Sequence, residues 1–592
     1  ASDVYKRQTV FGVYATTDIK DRSGKVVASK GTVLEKIVTG EDGTAATTYD
    51  YPTGYVYEVK ELTSPIGYGN KHDTKKVDAS EIKGNSESQD YTLKYTDKHT
   101  SIAGTKAAEY KTGDNQGAYD ENFVYRIIDS VDCRDLVVGE EYTIKGMLKD
   151  KATGLPFVDM DGNTVTGETT FTAETKDQIV NVEFNFKANL EGLSVVVAER
   201  LYQQGVEIFV HDDLEDKDQT IDYLKLRTKA HDKDTLTNVG TVSDKASIVD
   251  EVTFNNLRVG NTYEVRGYLM NKDTGFELLD KDGSRITATK TFTAQAADQT
   301  VEMEFILDSS LLEGVTVTVF EDVYYNGVRV GSHCDIADAD QSIFYPKIRT
   351  SAADSNTNSH VGVVGGKSTI IDTVTYTNLI VGKTYTVSGY LMNQDTNTAI
   401  LDKDGNKITS SRTFTAATAN GSIDITFEFD SSDMEGSTAV VFEDLYHNDI
   451  RVTTHSDITD SNQSILYPKI RTKAHDKNTG DHNGTVGPET TIIDTVIYSN
   501  LVAGREYTLK GYLVDRTTQM PVLDSTGNII TATKNFAADG SDGTIDMEFT
   551  LDSTGLGDHI LVVFEDIFDT ETGVKLTTHS DIGSEEQSIY FI

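Results

Sequence analysis

The stretch TVTVFEDVYY, Thr316–Tyr325, decides the fold. Val317, Val319 and Val323 recur with a period of two, the spacing that sends alternate side chains to one face of a β-strand. Glu321 stands in the same register, so a carboxyl group is expected on the inward, apolar face. The residue after this Glu is Asp322, Asp444 or Asp566 in three related stretches and Arg200 in a fourth. A position that accepts either sign faces water, which leaves the Glu pointing inward. No Lys or Arg recurs beside it, and a buried carboxyl without a cationic partner tends to keep its proton.

Working outward, a second phrase returns along the chain: IAGTKAAEY from Ile102, KLRTKAHDK from Lys225, KIRTSAADS from Lys347 and KIRTKAHDK from Lys469. Its threonines, Thr105, Thr228, Thr350 and Thr472, lie 123, 122 and 122 residues apart. A fixed period of this kind marks one structural unit repeated in tandem. Inside each unit, short runs rich in Val, Ile, Thr, Tyr and Phe alternate with Gly, Asn and Asp turns, as in TYEVRGYLM (Thr262–Met270), TYTVSGYLM (Thr384–Met392) and EYTLKGYLV (Glu506–Val514). Helical periodicity is nowhere sustained. The expected fold class is therefore all-β, a tandem of immunoglobulin-like β-sandwich domains. The expected divisions are 1–98, 99–223, 224–345, 346–467 and 468–592. Almost nothing separates one unit from the next, as in QSILYPKIRT (Gln463–Thr472), and Pro346 and Pro468 stiffen the joints. A monomeric rod is expected.

Composition narrows the function. A formal charge of −41 over 592 residues disfavours nucleic acid and anionic membrane surfaces, which both select basic proteins. No run approaches the roughly 20 apolar residues of a membrane span. Cys133 and Cys334 lie far apart in the chain and cannot form a disulfide framework or a four-ligand zinc site. LDKDGSRIT from Leu279 and LDKDGNKIT from Leu401 resemble calcium loops. The first, counted from Asp280, places Arg285 and Thr291 where an EF-hand needs Gly and an acid, so Asp-Gly hairpin turns fit better. No cofactor or metal is expected. With neither a signal peptide nor an apolar anchor in view, the sequence reads as a fragment.

Five polar positions persist in all four units while their neighbours change. They are the opening Thr; an Asp in I-[IV]-D (Asp129, Asp250, Asp372, Asp494); the inward Glu (Glu199, Glu321, Glu443, Glu565); a His (His211, His333, His455, His579); and a Gln in Q-[ST]-I (Gln219, Gln341, Gln463, Gln587). Singly, each has an ordinary structural explanation. Together they are a nucleophile, a base, two acids and a carboxamide. A Thr hydroxyl needs a base such as His to attack. A Gln carboxamide becomes an acyl donor when its carbonyl is polarised, and two carboxyls sharing one proton supply that donor. Thr and Gln lie 114, 113, 113 and 115 residues apart, at opposite ends of each unit. In a sandwich the first and last strands are often neighbours, and the product of the reaction would be an ester, with loss of ammonia.

The phrases VFED at Val319, Val441 and Val563, VAER at Val197, and the terminal H-x-D-x(5)-Q-[ST]-I resemble the VaFE repeats, or Thr-Gln ester-bond domains, of Gram-positive surface adhesins. The resemblance covers about residues 99 to 592. It implies ester bonds joining Thr105 to Gln219, Thr228 to Gln341, Thr350 to Gln463 and Thr472 to Gln587, assisted by the Asp, Glu and His of each unit. It also implies an extracellular, cell-wall-anchored stalk rather than a turnover enzyme. A host surface or matrix ligand would then bind through a tip domain and peptidoglycan through a sorting signal, both outside this sequence. The first unit departs most, with Ala198 and Arg200 around its Glu and His-Asp-Asp at His211. Two rivals compete. Repeats that bind a host ligand directly should retain exposed aromatics, of which no clear case is seen, and a Thr/His hydrolase should have a concave site.

In the first hundred residues, VFGVYATTDI (Val10–Ile19) and GYVYEVKELTSPIGY (Gly54–Tyr68) resemble the SpaA-like, collagen-adhesin B-type domain, whose E-x(3)-P-x-G-Y phrase is matched at Glu61, Pro65, Gly67 and Tyr68. The resemblance implies an isopeptide bond assisted by Glu61, with Asp97 as acyl partner and a Lys upstream of Val10. There the chain reads ASDVYKRQ, and Asp3–Gln8 looks like translated sequencing adaptor. Residues 1–8 are read as non-native, Lys6 is set aside, and this domain is expected to lack its first strand and its crosslink.

Overall fold

The computed structural model describes residues 8–65, 67–82 and 89–592, so Lys6 lies outside the described residues. Strands take 54% of the chain and helix 1%, which settles the class as all-β. In the second unit the strands are β1 (Lys225–Asp232), β2 (Ala246–Asn255), β3 (Thr262–Asn271), β4 (Thr287–Thr293), β5 (Gln299–Leu307), β6 (Thr316–Tyr325), β7 (Val328–His333) and β8 (Ser342–Phe344). They form two antiparallel sheets: β1-β2-β5, and β4-β3-β6-β7 with β8 also on β6. Inward residues of the two sheets, among them Phe254, Val265, Phe305, Val317, Val319 and Val323, make one core. The period-two alternation thus sorts apolar residues inward, as it should in a sandwich. The other three units repeat this topology.

Two features of β6 position the site. Its one edge is shared, β7 pairing along the second half (Glu321 opposite His333) and β8 along the first (Thr318 opposite Ser342). The segment between β7 and β8 brings Gln341 in beside Glu321. On its other side β6 sets Glu321 opposite Gly267 of β3. A methyl group on Gly267 would come within 2.5 Å of the Phe305 ring. The same pairing of Gly with Glu recurs at Gly146, Gly389 and Gly511, each against the equivalent Phe. Glycine in a strand usually weakens it; here it makes room for an aromatic ring from the facing sheet beside the strand position of the Glu.

Because β8 takes the β6 edge, the first and last strands do not pair with one another. They face each other across the two sheets, joined by the Ala230 amide donating to the Asp340 carbonyl.

Successive units touch directly. Asn256, Asn378 and Asn500 adopt left-handed φ of 66°, 61° and 61°, a region Asn tolerates better than most residues. Each side-chain amide donates to two carbonyls of the preceding unit: Leu193 and Tyr223, Val315 and Tyr345, Ser437 and Tyr467. The loop after the first strand also reaches forward. Val239 of the second unit is wholly buried within the third unit's core, and Val361 of the third within the fourth's. At the first joint the corresponding Gln116 accepts from Tyr263 of the second unit at 2.6 Å.

Ahead of the units, Val33–Val38, Val10–Ala15, Val56–Thr63 and Thr74–Asp78 form a four-stranded sheet in that order. Phe11, Val13, Tyr57 and Val59 supply its core.

Val239→Ala should destabilise the third unit by about 2 kcal/mol, from two lost methyl groups and the cavity they leave. Hydrogen exchange should show the lost protection in the third unit's strands rather than the second's.

Candidate crosslinking sites

Each site draws one acid from each sheet. Asp250 sits on β2 and Glu321 on β6, and in all four units both acids and the Gln have no exposed surface. Among the described residues, the only basic side chains within 4.0 Å of these carboxyls are His211, 3.2 Å from Glu199, and His455, 4.0 Å from Glu443. The pairs are within hydrogen-bonding reach of each other, and burial followed by mutual repulsion raises Asp129, Glu321, Glu443 and Glu565 well above the usual carboxylate range. Burial likewise raises their partners Glu199, Asp250, Asp372 and Asp494. Each pair therefore retains one proton near neutral pH and titrates as a unit.

The third unit has the most complete arrangement. Gln463 Nε2 lies 2.7 Å from Thr350 Oγ1 and 2.6 Å from Glu443 Oε2, and Thr350 Oγ1 lies 3.2 Å from the same carboxyl oxygen. In the fourth, Gln587 Nε2 and Thr472 Oγ1 converge on Glu565 Oε2 at 3.0 and 3.2 Å. In the second, Gln341 Nε2 donates to Glu321 at 2.9 Å, while Thr228 Oγ1 is buried without a partner. In the first, Gln219 Nε2 donates to Asp129 at 2.9 Å, and His211 Nδ1 stands 3.3 Å from Thr105 Oγ1 and 3.2 Å from Glu199. In all four the Gln Oε1 is buried with no donor. Turning the Gln463 amide half a turn puts its carbonyl oxygen where Nε2 now meets Glu443, a position suited to the shared proton, and amide ends are interchangeable in shape.

The histidines are held by a residue that comparison of all four units overlooks. Five positions after each of three histidines stands an Asp: Asp216, Asp338 and Asp460 lie 3.3, 2.9 and 3.4 Å from the Nε2 of His211, His333 and His455. A carboxylate there fixes the proton on Nε2 and leaves Nδ1 as the basic nitrogen, which in the first unit faces Thr105. The spacing H-x(4)-D could have revealed it, but the fourth unit has Ser584 in that place, and His579 Nδ1 has no partner. Burial, then the charges of Arg349 and Arg471, hold His455 and His579 below the usual imidazole range, so both are neutral bases at pH 7.

In the N-terminal domain, buried Glu61 accepts from Ser64 at 2.8 Å. Burial pushes Glu61 up, and the Asp97 carboxyl is close enough to raise it further, to about 7. Acid and proposed acyl partner are thus together. Cys133 is buried and Cys334 exposed, and both are free.

Acid pairs of this kind make the uncrosslinked fold pH-sensitive. In a chain with Thr105, Thr228, Thr350 and Thr472 all changed to Ala, each folded pair keeps a proton that the unfolded chain gives up near pH 4. The stability is fully present below that pH and is lost as pH climbs through the raised values, by up to about 1.4 kcal/mol per pH unit for each pair. Urea midpoints should fall from pH 5 to 8, and adding Glu443→Gln with its three equivalents should flatten the profile.

No curated protein matches the sequence. Among solved structures, a Mobiluncus mulieris adhesin described as containing intramolecular disulfide, isopeptide and ester bond cross-links is 14% identical over 44% of this chain and 88% of its own, with a TM-score of 0.19. A tetra-tandem repeat from the extending region of a large adhesion protein is 13% identical over 81% and 97%, with a TM-score of 0.19. The C-terminal domain of the Streptococcus agalactiae AgI/II polypeptide BspA is 11% identical over 39% and 98%, with a TM-score of 0.22. Overlaps this slight bear no weight. The family model of the T-Q ester bond containing domain, in contrast, matches four times, over residues 96–223, 224–345, 346–467 and 468–591. These four matches take in most of the sequence, and the chain belongs to the T-Q ester bond containing domain family.

Proposed function

We propose that this chain is the stalk of an extracellular, cell-wall-anchored adhesin, four consecutive units of which close their own Thr-Gln esters. The observation that carries the reading is the third unit, where Gln463, Thr350 and Glu443 meet within 3.2 Å in a site closed to water. Thr350 Oγ attacks the Gln463 side-chain carbonyl carbon while its proton passes to His455. The acid pair stabilises the developing oxyanion. Collapse breaks the carbon–nitrogen bond, the histidine returns its proton to the leaving nitrogen, and ammonia departs, leaving the ester. Holding both groups in place gives a large effective molarity, so a single slow turnover suffices. The complete burial of both acids and the Gln argues against a hydrolase acting on an added substrate.

The bond ties the two sheets together near the ends of each unit. By analogy with a disulfide, closing a loop of this length contributes on the order of 4 to 5 kcal/mol, and a pull on the ends cannot extend the enclosed strands. Resistance to force and proteolysis is the proposed advantage. Host ligand and peptidoglycan would be engaged by segments other than these units.

Peptide mapping should recover a branched peptide joining the Thr350 strand to the Gln463 segment, cleaved by alkaline hydroxylamine as an ester and an isopeptide is not. Thr350→Ala should abolish it in the third unit alone. Asp338→Asn should slow the second unit about tenfold or more by freeing the His333 tautomer, and the fourth unit, with Ser584, should be the slowest of the native four. Bond formation should have a bell-shaped pH profile, rising as the histidine loses its proton and falling as the acid pair loses its own.

A further inference from the structure

One side chain in each unit reaches from the loop after the first strand to the Gln segment without touching the reacting groups, and in the first two units it also holds the Thr strand. In the first unit Asn115 Nδ2 donates to the carbonyl of Ala107, two residues beyond Thr105, and to those of Asp218 and Thr220, which flank Gln219, at 3.0, 3.1 and 2.9 Å. In the second, Asn238 Nδ2 donates to Ala230, two residues beyond Thr228, at 3.2 Å, and to Ser342, directly after Gln341, at 2.8 Å. The third and fourth units replace Asn with His: the Nδ1 of His360 and of His482 meet the carbonyls of Ser464 and Ser588, directly after the Gln, at 3.1 and 2.8 Å. The backbone around these residues repeats the grip. The loop runs parallel to the last short strand, with Phe344 N–H donating to Asn238 O and Gly240 N–H to Phe344 O, both at 2.8 Å; the other three units have the same pair of bonds.

The Gln segment is thus held between β6 on one side and this loop on the other. Asn and His share little except a planar side chain with an N–H at nearly the same reach from Cα, the Nδ2 of one and the Nδ1 of the other. What the four units keep is that donor, aimed at the carbonyl following the Gln.

We propose that Asn115, Asn238, His360 and His482 are positioning residues for ester formation: they fix the Gln segment against the Thr strand, so that the acyl carbon stays within reach of the hydroxyl. The inference rests on the ester reading above. A misplacement of about 1 Å is enough to cost about a hundredfold in an intramolecular reaction of this kind.

The test follows the full 592-residue chain after cell-free synthesis, with time-resolved mass analysis and peptide mapping to assign each loss of ammonia to its unit. Asn238→Ala should slow the second unit about 10- to 100-fold and leave the other three unchanged as internal controls. Asn238→His, the residue two sister units use, should restore most of the rate, which a merely structural gap would not do. If the controls crosslink and Asn238→Ala reacts at the wild-type rate, or if Asn238→His is as slow as Asn238→Ala, the positioning role is wrong and the ester reading stands. If no unit of the unmodified chain loses ammonia, the ester reading itself fails.

Discussion

The structure turns on a pair of carboxyl groups placed in a dry, apolar sandwich where, among the described residues, no Lys or Arg is paired with them. Ionising both there would cost several kcal/mol, so the pair keeps a proton, and in the proposed reaction that proton makes an otherwise unreactive Gln an acyl donor. Much else follows from building this pair. One acid comes from each sheet, so it exists only once the sandwich has closed. Gly267 and its equivalents, opposite the Glu, leave the space that a Phe ring of the facing sheet fills. The interruption between β7 and β8 lets the Gln enter at the same edge as the Glu.

Much of this was legible because alternation and repetition are local properties of a sequence. The buried register of Glu321, the all-β class and the five persistent polar positions all come from spacing and from comparing one unit with the next. What escaped the sequence was of two kinds. Some residues change identity between units while keeping a donor in place, as Asn115 and Asn238 do against His360 and His482, so a search for fixed letters passes over them. Asp216, Asp338 and Asp460 were hidden by the single exception at Ser584. Other features depend on the sheet in which a strand ends up. The expectation that the first and last strands are neighbours holds in space, but they face each other across the sandwich, because β8 completes the edge of β6. No hydrophobic pattern distinguishes these two arrangements.

The loop after the first strand shows how closely joint and site are connected. Asn238 grips the Gln segment of its own unit, and the next residue, Val239, is buried in the following unit. Fixed polar contacts from Asn378 and Asn500 close the same joints from the other side. Neighbouring units therefore complete one another's packing, although each carries its own reactive set.

The most direct test of the central claim is the intact mass of the full chain under denaturing conditions. Four self-formed esters require a mass lower than that of the sequence by four molecules of ammonia. A folded chain whose mass equals that of the unmodified sequence would contradict the account.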